Sequence, residues 1–150
     1  MNPSPALPSI RPARVTDVAA LFKVRTSVRE NALSTDELAQ LGITPASIAQ
    51  AIEHAACAWV ATVDDEIVGF SMADLDSACL FAVFVLPHYE GRGIGSGLVE
   101  AGERALFESH PIAWLETAGN SRAARLYRHL GWGNERALDD GDIRLEKRRA

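Results

Sequence analysis

The chain has 150 residues, a formal net charge of −5 and 47% apolar residues. That length reads as one domain that buries about two-thirds of its unfolded surface. No apolar run approaches the roughly 18 residues that span a membrane, and the acidic balance argues against nucleic acid as a bulk partner.

Residues 1–9 hold three prolines and no basic charge, which reads as a loose tail and not a secretory signal. The domain is then expected over residues 10–150, opening on a short strand at Ile10-Arg11-Pro12-Ala13. Thr16 and Asp17 start a helix in which Val18, Leu21, Phe22, the stem of Arg25 and Val28 recur at helical spacing. It is expected to fray near Asn31, and residues 32–42 are expected to be a loop or short turn. Thr44-Pro45 starts a second helix, a capping hydroxyl followed by proline at the first turn, running to about His54. Residues 56–63 and 67–75 are β-rich apolar runs that make a hairpin across Asp64-Asp65-Glu66. Residues 78–86 are nearly all apolar, as in a central strand covered on both faces. Pro87 ends that strand because it has no N–H to give. Cys57 and Cys79 lie in these runs without any Cys-x-x-Cys or Cys/His cluster. They read as buried thiols and not as zinc ligands, so no metal is expected and a reducing cytoplasm is.

The segment that follows says most about chemistry. Glu90-Gly91-Arg92-Gly93-Ile94-Gly95-Ser96-Gly97 links the strand to a helix with Ile94, Leu98, Ala101 and Ala105 on one side. Free N–H groups at a helix start, together with the helix dipole, make an anion site, and glycine lets the backbone approach a phosphate closely. A P-loop requires Gly-Lys-Ser/Thr, and no lysine follows these glycines. The dinucleotide fingerprint Gly-x-Gly-x-x-Gly does not fit glycine at every second position.

A fifth strand is expected over residues 112–117. Asn120 or Ser121 then caps a helix that runs to about Leu130, where Gly131 terminates it. Asn120 and Tyr127 fall on one face of that helix, about two turns apart. Residues 132–137 and 142–147 close the chain as a hairpin through Asp140-Gly141. The basic end, Arg144 to Arg149, reads as a solvated tail after the final strand.

The two glycine-bearing motifs together resemble the GCN5-related N-acetyltransferase (GNAT) family. Val83-Phe84-Val85-Leu86-Pro87 followed by Glu90-Gly91-Arg92-Gly93-Ile94-Gly95 is similar to its coenzyme A loop, with Glu90 where the family usually has Gln or Arg. Asn120, Ala123, Leu126, Tyr127, Gly131 and Trp132 match its second signature. The resemblance covers most of the chain, from Ile10 to about Glu146. It implies an α+β fold with a mixed, mostly antiparallel seven-stranded sheet flanked by about four helices. It also implies that the fourth and fifth strands run parallel and splay apart at one end.

The resemblance implies transfer of an acetyl group from acetyl-CoA to the amine of a small molecule or peptide. Cofactor contacts are then expected from Val83, Phe84, Val85, Gly91, Arg92, Gly93, Ile94, Gly95, Ser96, Asn120 and Tyr127. A free N–H at Phe84 or Val85 would hold the oxyanion, and Tyr127 would be the general acid toward the departing thiolate. Glu116 is the candidate base, with a water chain as its alternative. His88 reads as a surface turn residue. Glu30 in the loop from Arg29 to Ser34, with Asp74 and Asp76, would form an acidic acceptor pocket suited to a cationic amine. A non-catalytic acyl-CoA-binding module and an enzyme using a longer acyl-CoA are the rival readings, and a homodimer is left open.

Overall fold

The computed structural model describes residues 8–150. Its strands are β1 (Ser9–Pro12), β2 (Ala58–Val63), β3 (Glu66–Asp74), β4 (Cys79–Val85), β5 (Ile112–Ala118), β6 (Gly133–Ala137) and β7 (Asp142–Arg148). They form one seven-stranded sheet in the order β1-β2-β3-β4-β5-β7-β6. Every neighbouring pair is antiparallel except β4 with β5. The helices are α1 (Val18–Arg25), α2 (Thr35–Gln40), α3 (Pro45–His54), α4 (Ile94–Phe107) and α5 (Arg122–His129). This is the expected α+β mixed sheet, with five helices among the described residues in place of about four.

The additional helix is α2, in the stretch read as loop. Ser34 Oγ accepts the Glu37 N–H at 3.1 Å, and the Glu37 carboxylate accepts the Ser34 N–H at 3.1 Å. This reciprocal box satisfies two donors that would otherwise be orphaned at a helix start. α1 is shorter than expected. The hydroxyls of Thr26 and Ser27 bond back to the carbonyls of Phe22 and Lys23 at 2.8 and 2.6 Å, taking up the last-turn acceptors. β1 begins at Ser9, inside the stretch expected to be tail, and residues 1–7 of that stretch lie outside the described residues.

Two apolar layers cover the sheet. On one face, Ile94, Leu98, Val99 and Leu106 of α4 pack with Val68, Leu80, Leu115 and Leu145 from the strands, and α5 adds Ala124 and Tyr127. Their recurrence at helical spacing is why α4 buries that side. On the other face, Leu21 and Val24 of α1 pack with Val60, Phe70 and Met72, supported by Ile48 and Ile52 of α3. The basic end is no free tail. Lys147 lies in β7, and its Nζ donates to Glu103 Oε1 of α4 at 2.9 Å and to the Leu130 carbonyl at 2.8 Å. Trp132 Nε1 donates to the same Glu103 oxygen at 2.9 Å, so one buried carboxylate ties α4, the end of α5 and β7 together.

Candidate active site

The parallel strands β4 and β5 are in register at one pair, Cys79 with Trp114. The Trp114 N–H donates to the Ala78 carbonyl at 3.0 Å. Toward their C-terminal ends the two strands part. A bulge in β4 accompanies the split. Met72 and Ala73 are consecutive but pair with Ala82 and Leu80, so Phe81 is an extra residue. Such an insertion bends the strand and increases its twist. It also resets the alternation of side chains. Leu80, Val83 and Val85 pack toward α4, whereas Ala82 and Phe84 pack toward α1.

The backbone of β4 can be accounted for group by group. The Leu86 N–H donates to the Val68 carbonyl at 2.8 Å. Donor direction alternates along an antiparallel ladder, so the N–H groups of Phe84 and Ala82 also face β3. Those of Val83 and Val85 face the opened edge, where β5 no longer pairs. Of the two donors expected for the oxyanion from sequence, Phe84 is committed to the sheet, and the Val85 N–H has no strand partner among the described residues.

The glycine loop follows directly. Pro87–Tyr89 form a single 3-10 turn, and Gly91 and Gly93 are left-handed at φ 77° and 81°. Gly93 is the N-cap of α4, and no side chain caps that end. The first backbone donor returned to the helix is the Gly97 N–H, to the Gly93 carbonyl at 3.2 Å. The N–H groups of Ile94, Gly95 and Ser96 therefore point outward without intrahelical partners. A Cβ on Gly93 would meet nothing within 4 Å, so this cradle is open. Gly95 serves a different purpose. A Cβ there would lie 3.0 Å from Leu126 Cδ2, so its missing side chain lets α4 approach α5. Arg92 stacks its guanidinium 5.0 Å from the Tyr89 ring centroid. The Glu90 carboxylate is offset by Arg122, whose Nη1 lies 3.5 Å from Glu90 Oε2. His88 lies in the turn just before this loop.

At the start of α5, Ser121 is the cap, its Oγ accepting the Ala124 N–H at 3.0 Å. That leaves Asn120 exposed, its amide without a protein partner among the described residues. Tyr127 is buried, edge-on to Trp132 with ring centroids 6.1 Å apart. Its hydroxyl makes no hydrogen bond among the described residues, and burial pushes the phenol well above its ordinary range. Burial likewise pushes Cys79, at the closed end of the split, up to about 11.

The three carboxylates expected to form an acidic pocket are split, with Asp74 and Asp76 sharing the β3–β4 turn and Glu30 at the start of α5. Glu30 accepts the Arg122 N–H at 3.1 and 3.2 Å, which places it on the free end of α5. Asp74 accepts the N–H groups of Asp76 and Ser77 at 3.1 and 3.4 Å and holds the β3–β4 turn. That turn is at the opposite end of β4 from the glycine loop. Glu116 is exposed on β5, opposite Arg144 of β7.

In their place stands an apolar pocket of about 160 Å³ between α1, α2, α3 and the β3–β4 pair. Phe22, Leu38, Phe70, Met72, Phe81 and Phe84 line it together with Arg25 and Asn31. Arg25 stacks its guanidinium 4.3 Å from the Phe84 ring centroid and donates from Nη1 to the Asn31 carbonyl at 3.0 Å. No carboxylate pairs with it among the described residues. The sequence carried one signal for this site. Arg25 falls in the apolar stripe of α1, where a charge is out of place unless its head as well as its stem has a role.

The sequence profile of the Acetyltransferase (GNAT) family matches residues 19–132. Among curated proteins, none matches the chain's sequence. Solved structures share the fold at low identity. PaiA N-acetyltransferase from Thermoplasma acidophilum, solved with coenzyme A, superposes with a TM-score of 0.78 at 16% identity over 95% of this chain and 99% of its own. Ard1 from Thermoplasma volcanium gives 0.72 at 17% identity, covering 95% and 98%. The ribosomal-protein-S18-alanine N-acetyltransferase from Escherichia coli gives 0.70 at 22% identity, covering 95% and 94%.

Proposed function

The chain belongs to the GNAT acetyltransferase family, and from that premise we propose that it transfers an acetyl group from acetyl-CoA to the amine of a small molecule or peptide by direct attack on the thioester. The observation that carries this reading is the uncapped N-terminus of α4, reached through left-handed Gly91 and Gly93 at the end of a strand that has parted from its neighbour.

In this reading the N–H groups of Ile94, Gly95 and Ser96, with Gly91, Arg92 and Gly93, hold the pyrophosphate of acetyl-CoA. The opened edge of β4 offers Val83 and Val85 to the pantetheine amides and to the thioester oxygen as it gains charge. Asn120 contributes an amide at the far wall. Tyr127, kept protonated by its burial, donates toward the departing sulfur. Its presence argues for catalysis over a binding module. Glu116, or water beside it, takes the proton from the amine. The two buried free thiols fit a reducing cytoplasm.

Thermal shift with acetyl-CoA and a free-thiol assay across an amine panel test the proposal. Ligand at about 100 times its dissociation constant adds roughly 2.7 kcal/mol. No shift at millimolar acetyl-CoA would remove the cofactor and the reaction together.

A further inference from the structure

We propose that the acceptor is a free amino acid with a large apolar side chain, its side chain seated in the pocket beneath α1 and its carboxylate held by Arg25. This rests on the acetyl-transfer reading and names the substrate class for it.

Position comes first. The pocket takes its floor from Met72, Ala82 and Phe84. Ala82 and Phe84 lie on the stretch of β4 whose other edge faces the split from β5, and Met72 is the β3 partner of Ala82. Phe81, the bulged residue, lines the pocket while remaining 53% exposed. An amine held here lies beside the β4 segment where the thioester is expected.

Size and polarity come next. An apolar cavity of about 150 Å³ holds a guest the size of benzene. A volume of about 160 Å³ with phenylalanine, leucine and methionine walls therefore suits a phenyl or branched aliphatic group. Among the described residues, Arg25 is the one charged residue lining it. It spends Nη1 on the Asn31 carbonyl, and the remaining donors of its planar fork match a carboxylate.

The same features exclude other amines. A polyamine would bring a second ammonium against Arg25, and the carboxylates that could have received it are held elsewhere, Glu30 by α5 and Asp74 by its turn. A peptide N-terminus has an amide where the free amino acid has its carboxylate, which leaves the guanidinium unpaired. The reaction forms the N–C bond of an N-acetylamino acid and breaks the C–S bond. One amine proton passes to a base or solvent, and the sulfur leaves as CoA thiol.

The test compares kcat/KM for L-phenylalanine, L-leucine, phenethylamine, L-phenylalaninamide, spermidine and a phenylalanine-initiated tripeptide. Thiol release is followed in the wild type, Arg25→Gln, Arg25→Lys and Phe81→Ala. The two amino acids should exceed the carboxylate-free amines by about 10-fold or more, the scale of a charge-assisted hydrogen bond. Arg25→Gln should erase most of that preference, Arg25→Lys should keep part of it, and Phe81→Ala should weaken selection for the phenyl group. The thermal shift with acetyl-CoA should stay unchanged in all three, which also shows that each variant folds. Preference for spermidine or the tripeptide, an unchanged ratio in Arg25→Gln, or acetyl-CoA binding without turnover of either amino acid would overturn the acceptor assignment alone. Absence of both acetyl-CoA binding and thiol release would overturn the acetyl-transfer reading beneath it.

Discussion

Arg122 Nη1 lies 3.5 Å from Glu90 Oε2, so the one carboxylate in the glycine loop is matched by a cation from the start of α5. The two motifs recognisable in the sequence thus neutralise each other across the proposed phosphate site. Exposed pairs of this kind are worth roughly 0.2–1 kcal/mol. Arg122→Ala should weaken CoA binding by about 2- to 5-fold, and Glu90→Gln should strengthen it by a similar factor. Calorimetric titration at low and high salt checks both, and the differences should shrink as salt rises. Weaker binding in Glu90→Gln would show that the carboxylate assists the ligand.

Gly93 and Gly95 separate two roles that sequence alone assigns to one. Gly93→Ala places a side chain in the left-handed region, at a cost of about 1–2 kcal/mol, but it meets no atom within 4 Å. Its effect should fall on CoA affinity beyond that modest loss of stability. Gly95→Ala brings a methyl against Leu126 Cδ2 at 3.0 Å and should act mainly on the melting temperature through the α4–α5 contact. Identical patterns in the two variants would contradict this division.

Glu103 accepts from both Trp132 Nε1 and Lys147 Nζ at 2.9 Å. Lys147→Met leaves a largely buried carboxylate without its cation, which should cost about 3 kcal/mol. The double variant Glu103→Gln with Lys147→Met keeps an acceptor for the indole without a charge, so it should lose less than Lys147→Met alone. Urea unfolding midpoints measure the order of the two.

What could be read from the sequence depended on how local each signal is. The strand, glycine loop and helix were legible because positive φ and free N–H groups dictate composition over a few residues. The start of α2 is equally local, because Ser34-x-x-Glu37 is a capping box readable from four residues. The bulge at Phe81 leaves no trace in an unbroken apolar run, because it exists only relative to Met72 and Ala73 on another strand. The Glu103–Lys147 pair spans 44 residues, and nothing in either neighbourhood marks it. The expected acidic pocket failed for a related reason. Shared sign does not bring carboxylates together, and Glu30 and Asp74 are each taken up by backbone N–H groups, at α5 and in the β3–β4 turn.

Asp17 supplies an acid-side test of the fold. Arg11 grips it with two hydrogen bonds at 2.8 and 3.1 Å, and the Arg14 N–H adds a third at 2.7 Å. The Arg11 hydrogen bonds, more than any other contact, hold its carboxyl below the ordinary 3.8. A folded-state value below the unfolded one adds stability above the unfolded value and loses it as pH falls through the folded one. The stability gap between wild type and Asp17→Asn should therefore be flat near neutral pH and close below about pH 4. A gap that persists unchanged to about pH 2 would mean that the charge of Asp17 does not matter.

Tyr127→Phe separates chemistry from architecture. The hydroxyl has no protein partner among the described residues, so the phenyl ring keeps the contact with Trp132 and the fold should lose little. General acid assistance is worth about 10²- to 10⁴-fold. A thiolate is already a fair leaving group, so a fall near the lower end is expected in the single-turnover rate, with CoA affinity unchanged. Burial also fixes the pH behaviour. It raises the phenol above its ordinary value of 10.0, so Tyr127 stays protonated throughout the range in which the acceptor amine loses its proton. The rate should therefore climb with pH as the amine becomes neutral, and no descending limb below about pH 10 should belong to Tyr127. The phenylalanine variant should trace a profile of the same shape at a lower height. A descending limb that vanishes in the variant would show that the phenol titrates within the working range, and a single-turnover rate within about twofold of wild type would leave Tyr127 as a packing residue.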